Sequence, residues 1–115
     1  MKLTESDLEG FTGTESYYKH ASGMLYTDGI KFLAENAEAY WLLDLVASYQ
    51  REEKVKKEGF QTWELVKKEN NEAVITLEDG NNNKILSQKI PYTDFPLAKV
   101  EVWLIDGVLI LPSEY

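Results

Sequence analysis

The sequence predicts an α+β fold in which a helical N-terminal half packs on a four- to five-stranded antiparallel sheet built from the C-terminal half. Three observations lead there. Residues 39–50 form an almost continuous apolar stretch of helical length, a run of charge follows from Arg51 to Gly59, and beyond it short β-branched and aromatic runs alternate with turn residues. A chain of 115 residues is expected to build a single α+β domain spanning residues 1–115, with one core to which three Trp, seven Tyr and four Phe contribute.

Thr4 or Ser6 can cap an opening helix, with Glu5, Asp7 and Glu9 where a helix N-terminus attracts negative charge and Gly10 at its end. Phe11–Glu15 reads as a turn, and Tyr17 and Tyr18 begin an extended piece or a pinned loop before Gly23. Thr27 or Asp28 caps the next helix, where Ile30, Phe32, Leu33, Ala34 and Ala37 recur at helical spacing. Asn36 either ends that helix or lies within a longer bent one. Ala39–Gln50 is apolar nearly all round and is expected to be the central buried helix. Arg51–Gly59 is a solvated last turn or an exposed loop, and marks the boundary between the two halves.

Strands are predicted at Phe60–Lys68, Ala73–Glu78, Lys84–Ile90, Val100–Ile105 and Val108–Leu111, with turns at Glu69–Glu72, Asp79–Asn83 and Asp106–Gly107. Tyr92–Leu97 interrupts the pattern. Trp63 and Leu65 share one side of their strand, as do Val100, Val102 and Leu104. The closing hairpin is apolar on both sides, so it is expected inside the sheet, under a cover, or in a dimer interface.

The net charge of −8, from 20 acidic and 12 basic side chains, disfavours direct nucleic-acid binding, which calls for a basic face. It leaves open an acidic mimic that inhibits a DNA-binding protein, provided the carboxylates line one face. The absence of Cys excludes disulfides, thiolate metal sites and cysteine nucleophiles. The N-terminus lacks the apolar core of a secretory signal and no apolar run reaches membrane-spanning length, so a cytoplasmic protein is expected.

Candidate site residues are few. Tyr-Thr-Asp occurs at Tyr26–Asp28 and again at Tyr92–Asp94, where Thr and Asp can cap or the two carboxylates can converge. Asp44 stands in the most apolar helix, in line with Tyr40 and Ser48, either on a polar stripe or as a pocket carboxylate. His20 is the only histidine and can reach Asp28 or Asp44, but nucleophilic catalysis needs a poised hydroxyl and an orienting group that the sequence does not reveal. Glycine motifs for phosphate binding are absent, and no cofactor or metal set is predicted. Trp63 and Trp103 read as core or interface anchors.

The blocks Phe11–Glu15, Tyr26–Gly29, Ala39–Leu42 with Asp44 and Gln50, Thr93–Leu97 and Leu111–Tyr115 together resemble a family of short bacterial and phage-associated proteins classified only as a domain of unknown function. The resemblance covers essentially the whole chain. It implies a complete single-domain protein ending naturally at Tyr115, and supplies no activity, substrate or cofactor. The leading expectation is a non-enzymatic protein-interaction domain with a protein partner, a homodimer through the closing hairpin being one form. The alternative is a small enzyme or ligand-binding domain with a polar pocket around Asp44 and His20, drawing on Tyr26, Asp28, Tyr40, Asp94 or Glu114.

Overall fold

Alternating burial organises the sheet. In the computed structural model, which describes residues 3–14 and 16–115, strand β3 (Phe60–Lys67) buries Gln61, Trp63 and Leu65 on one side while Phe60, Thr62, Glu64 and Val66 stay partly open on the other. The same period governs β4 (Ala73–Asp79), which buries Ala73, Ile75 and Leu77, and β6 (Lys99–Ile105), which buries Val100, Val102 and Leu104. Strand β5 (Lys84–Ile90) pairs with β4 through a register shift at Leu77/Glu78. Asp106 (φ 49°) and Gly107 (φ 86°) both turn with positive φ, the geometry of a primed hairpin, and lead into β7 (Val108–Ile110).

Two further strands correct the expected architecture. Tyr17–Lys19 (β1) and Leu25–Thr27 (β2) form an antiparallel pair, and β2 runs parallel to β7 with Leu25 opposite Val108 and Tyr26 opposite Leu109. Among the described residues the result is one mixed seven-stranded sheet in the order β1-β2-β7-β6-β3-β4-β5, not a four- to five-stranded antiparallel one, and the N-terminal half is not purely helical. The reason is length. A three-residue strand is too short to display an alternating pattern, and both short strands are held by long-range backbone pairing that local sequence does not encode. The closing hairpin consequently lies within the sheet, flanked by β2 and β3.

Among the described residues four short α-helices supply the cover. Thr4 caps α1 (Glu5–Glu9) in a reciprocal box with Asp7, whose carboxylate receives the Thr4 N–H at 2.9 Å. Thr27 caps α2 (Asp28–Asn36), accepting the Ile30 N–H. Glu38, with φ 51°, turns the chain into α3 (Tyr40–Tyr49), which buries Leu42, Leu43, Val46 and Ala47. The charged run is not wholly solvated: it folds a single turn, α4 (Glu53–Lys56), whose Val55 is completely buried. The core joins these helix residues to the buried parity of β3, β4, β6 and β7.

One polar cluster ties the layers together. Gln50 and Gln61 exchange side-chain hydrogen bonds at 2.9 and 2.8 Å, Gln61 also donates to the Val55 and Glu58 carbonyls, and Trp63 Nε1 donates to Gln61 Oε1 at 3.0 Å. Every polar atom of the Gln61 amide is thereby satisfied in the interior, fixing the exit of α3 and the α4 turn against β3.

Candidate functional site

The N-terminal loops and α3 bring His20 to Asp44, with His20 Nε2 2.7 Å from Asp44 Oδ1. Nδ1 of His20 accepts the Ser22 backbone N–H at 3.0 Å, so Nε2 carries the proton and donates to Asp44. Ser22 Oγ also lies 2.8 Å from Nδ1, which completes a hydroxyl–imidazole–carboxylate line. Its surroundings are those of a closed turn: the Ser22 hydroxyl accepts the Met24 N–H, and the Gly23 N–H is spent on the His20 carbonyl. Among the described residues no pair of free backbone donors faces Ser22 to steady an oxyanion, and the Asp44 side chain is 70% exposed. A depression of about 370 Å³ adjoins the line, with Arg51 on its wall.

Glu114 occupies a different place. Its Oε1 accepts from the Thr27 hydroxyl at 2.6 Å and the Leu111 N–H at 2.9 Å, while Oε2 accepts from the Gly29 N–H and the Thr14 hydroxyl. A Cβ at Gly29 would stand 2.6 Å from Glu114 Oε1 and 2.7 Å from Leu111 Cδ1, so glycine is what lets the carboxylate approach the start of α2. Glu114 thus fastens the Pro112–Glu114 turn to the α2 entrance, with all its lone-pair directions engaged inside the protein. Glu15, part of the block beside Thr14, lies outside the described residues.

The remaining candidates spread out. Asp28 begins α2 and is half-buried. Tyr26 stacks on Tyr18 at 5.6 Å between ring centres, and Lys31 Nζ sits 4.8 Å from the centre of the Tyr18 ring. Tyr40 is held above its usual pKa of 10.0, first by partial loss of solvent and then by the charges of Glu35 and Tyr26, against a lowering influence from Lys31. Asp94 is exposed in the β5–β6 connection, where the neighbouring Thr93 N–H bonds the Asn71 carbonyl. That is the end of the sheet where β6 begins, whereas His20 lies by the β6–β7 turn at the other end of that strand. Thus His20 and Asp44 meet, the Tyr26 charge acts on Tyr40, Glu114 bonds Thr27 and Gly29 on either side of Asp28, and Asp94 stands apart from them.

The open face of the sheet carries a constellation that no local motif announces. Phe60, Trp103 and Tyr115 pack edge-to-face or tilted, with ring centres 5.3–5.8 Å apart, although Tyr115 remains 76% exposed. Glu64 stands directly opposite Glu101 across the β3–β6 pair, and Glu78 opposite Thr62 across the β3–β4 pair. Trp103 Nε1 donates to the Glu101 carboxylate. Two depressions meet at Glu64 and Glu101. One, of about 270 Å³, is walled by Phe60, Thr62, Thr76, Glu78 and Trp103. The other, of about 220 Å³, lies beside α1 and the C-terminal turn and is walled by Glu5, Leu8, Glu9, Lys99 and Pro112 among others. The two ion pairs found among the described residues, His20–Asp44 and Lys89–Glu72, involve none of these glutamates.

Sequence reasoning missed this face because a cross-strand neighbour is set by register. The available signal was the odd–even alternation itself, which puts Phe60, Thr62 and Glu64 on one side of β3 and Glu101 with Trp103 on one side of β6. Among the described residues no cluster of three or more His, Cys, Asp or Glu is arranged to hold a metal ion, and no helix is long and apolar enough to cross a membrane.

A small mixed-sheet α+β domain with one face covered and one face open is the class this geometry defines. Residues 2–115 match the family of unknown function DUF6876, and the chain belongs to that family. No curated protein and no solved structure matches it.

Proposed function

We propose that this protein is a non-enzymatic protein-interaction domain, working in the cytoplasm of a bacterial or phage-associated system, that engages its partner through the open face of the sheet. The observation that carries this reading is the Phe60–Trp103–Tyr115 cluster, whose Phe60 and Trp103 wall a depression on the open face and whose Tyr115 is exposed. Aromatic side chains that pack on one another yet stay partly wet offer large contact area, as interface anchors do. The test is affinity capture from the native host with wild type, Tyr115→Ala, Thr76→Arg and Asp44→Ala, each checked for folding by circular dichroism. A partner held by wild type and Asp44→Ala but lost from the two open-face variants is the expected result. Equal capture by all four would refute the reading.

A second reading, a small-ligand pocket around His20 and Asp44, is favoured by the hydrogen-bonded Ser22–His20–Asp44 line at the edge of a depression that also presents Arg51. A panel of small anions titrated against His20 ring NMR signals tests it, and unperturbed signals would discard it.

A further inference from the structure

We infer that the occupant of the open face is a protein segment in extended conformation bearing Lys or Arg at alternate positions, an inference that rests on the open-face reading above. On this face of the sheet like charge is set against like charge. Glu64 and Glu101 face each other directly across adjacent strands, a juxtaposition of like charges that weakens a sheet. Both are half-buried, and among the described residues neither has an ion-pair partner. The Trp103 indole N–H reaches the Glu101 carboxylate, but no hydrogen bond among the described residues reaches the Glu64 carboxylate.

Glu78 extends the pattern. Because Glu78 pairs with Thr62 while Glu64 pairs with Thr76, the two glutamates are diagonal neighbours across β3 and β4. Such neighbours lie about 7–8 Å apart, close to the spacing of alternate residues in an extended chain, about 7 Å. Two cations two residues apart can therefore meet the Glu64–Glu101 pair and Glu78 together. Phe60 and Trp103 wall the same depression, giving it an aromatic side against which the aliphatic stem of a Lys or Arg can pack. On the other side of Glu64 and Glu101, Leu8, Val100, Leu111 and Pro112 give the second depression apolar walls beneath Glu5 and Glu9, suited to an intervening apolar side chain.

Among the described residues no lysine of this face makes an ion pair with Glu64, Glu78 or Glu101, although Lys99 lines the second depression. Lys99 is two residues from Glu101 at the start of β6, Lys84 opposes Glu78 at the β4–β5 irregularity, and Lys89 pairs with Glu72. Carboxylates flanking aromatic and apolar walls are complementary to a cationic amphipathic strand and repel an acidic one.

The experiment uses the full chain, isotope-labelled for NMR, and three synthetic peptides of equal length: alternating Lys/Leu, alternating Glu/Leu, and alternating Ser/Leu. The expected result is binding of the Lys/Leu peptide alone, with amide shifts at Glu64, Thr76, Glu78 and Glu101 and at the Trp103 indole. Affinity should fall at least about tenfold from 50 to 500 mM salt, since screening acts within a few ångströms at the upper end. It should fall by a similar factor in Glu64→Gln/Glu78→Gln, whose folding is checked by its amide spectrum. Binding of the Glu/Leu peptide, or shifts confined to other surfaces, would overturn the inference. Equal binding of the Ser/Leu peptide to the same residues would also overturn it while leaving the open-face reading intact. Equal host capture by all four proteins described above is the separate result that removes the open-face reading itself.

Discussion

Gln61 and Glu64 are three residues apart on β3, and they meet opposite fates on the two faces of the sheet. Gln61 points into the covered layer, where two side chains and two carbonyls satisfy its amide. Glu64 points to the open face, opposite another glutamate and without an internal partner among the described residues. On the covered face polarity is tolerated because it is consumed internally; on the open face the Glu64 carboxylate is left to solvent. The harshest way to break the contrast is Gln61→Leu. It keeps the volume but strands the Trp63 N–H, the Gln50 Oε1 and the Glu58 carbonyl, while the Val55 carbonyl keeps the Glu58 N–H and Gln50 Nε2 keeps the Val46 carbonyl, and should cost about 3 kcal/mol by urea denaturation. A loss under about 1 kcal/mol would mean that the network does not order the covered layer.

Glu114 tests the same rule with a charge. Four donors converge on it, including the hydroxyl of the fully buried Thr27. Glu114→Ala should cost about 2–3 kcal/mol, because it removes a charge-assisted acceptor from buried donors. Gly29→Ala should be destabilising for the complementary reason, its new methyl colliding with the intact carboxylate. In the Glu114→Ala background much of the Gly29→Ala penalty should vanish, a coupling that a double-mutant cycle of unfolding free energies measures.

What the sequence made legible follows the reach of each signal. The β3, β4, β5 and β6 strands are long enough for period-two burial to declare itself, and Asp106–Gly107 names its own turn. Strands β1 and β2 are three residues each and are recruited by pairing with one another and with β7, which makes the sheet mixed. In the charged run, Val55 is a single apolar residue, and its burial depends on the tertiary position of α4. His20 and Asp44 stand out as chemical types before any fold is known, and the fold joins them. Glu64 and Glu101 look like ordinary solvent-side residues until register sets them face to face, 37 positions apart in the chain.

The open face should respond in the opposite direction to the covered one. Glu64→Gln relieves the repulsion across β3 and β6 and should raise stability by about 0.2–1 kcal/mol. A loss of stability would show that the carboxylate already has a structural role, and would weaken the contrast. Asp44→Ala gives a reference for an ordinary exposed charge. It removes the His20 pairing, but with 70% of the carboxylate side chain in solvent it should change stability by less than about 1 kcal/mol.

Asp79 sharpens the comparison further, as an exposed carboxylate that does find donors, within its own turn. Asn83 and Asn81 backbone N–H groups bond Oδ1 at 3.0 and 2.8 Å, and the Asn83 amide bonds Oδ2 at 3.2 Å. These bonds, led by the Asn83 N–H, hold its pKa below the usual 3.8. A depressed folded-state pKa means that the carboxylate's contribution to stability is present above the unfolded value and drains away as pH falls through the folded one. Carboxyl NMR titration should therefore find Asp79 ionising below 3.8, with the Asn81 and Asn83 amides tracking the same transition. Asn83→Ala removes only the side-chain donor and should raise the midpoint slightly, because the two backbone bonds remain. A midpoint at or above 3.8 in the parent protein would show that the turn does not grip its carboxylate in solution, and that internal partnership is confined to the covered face.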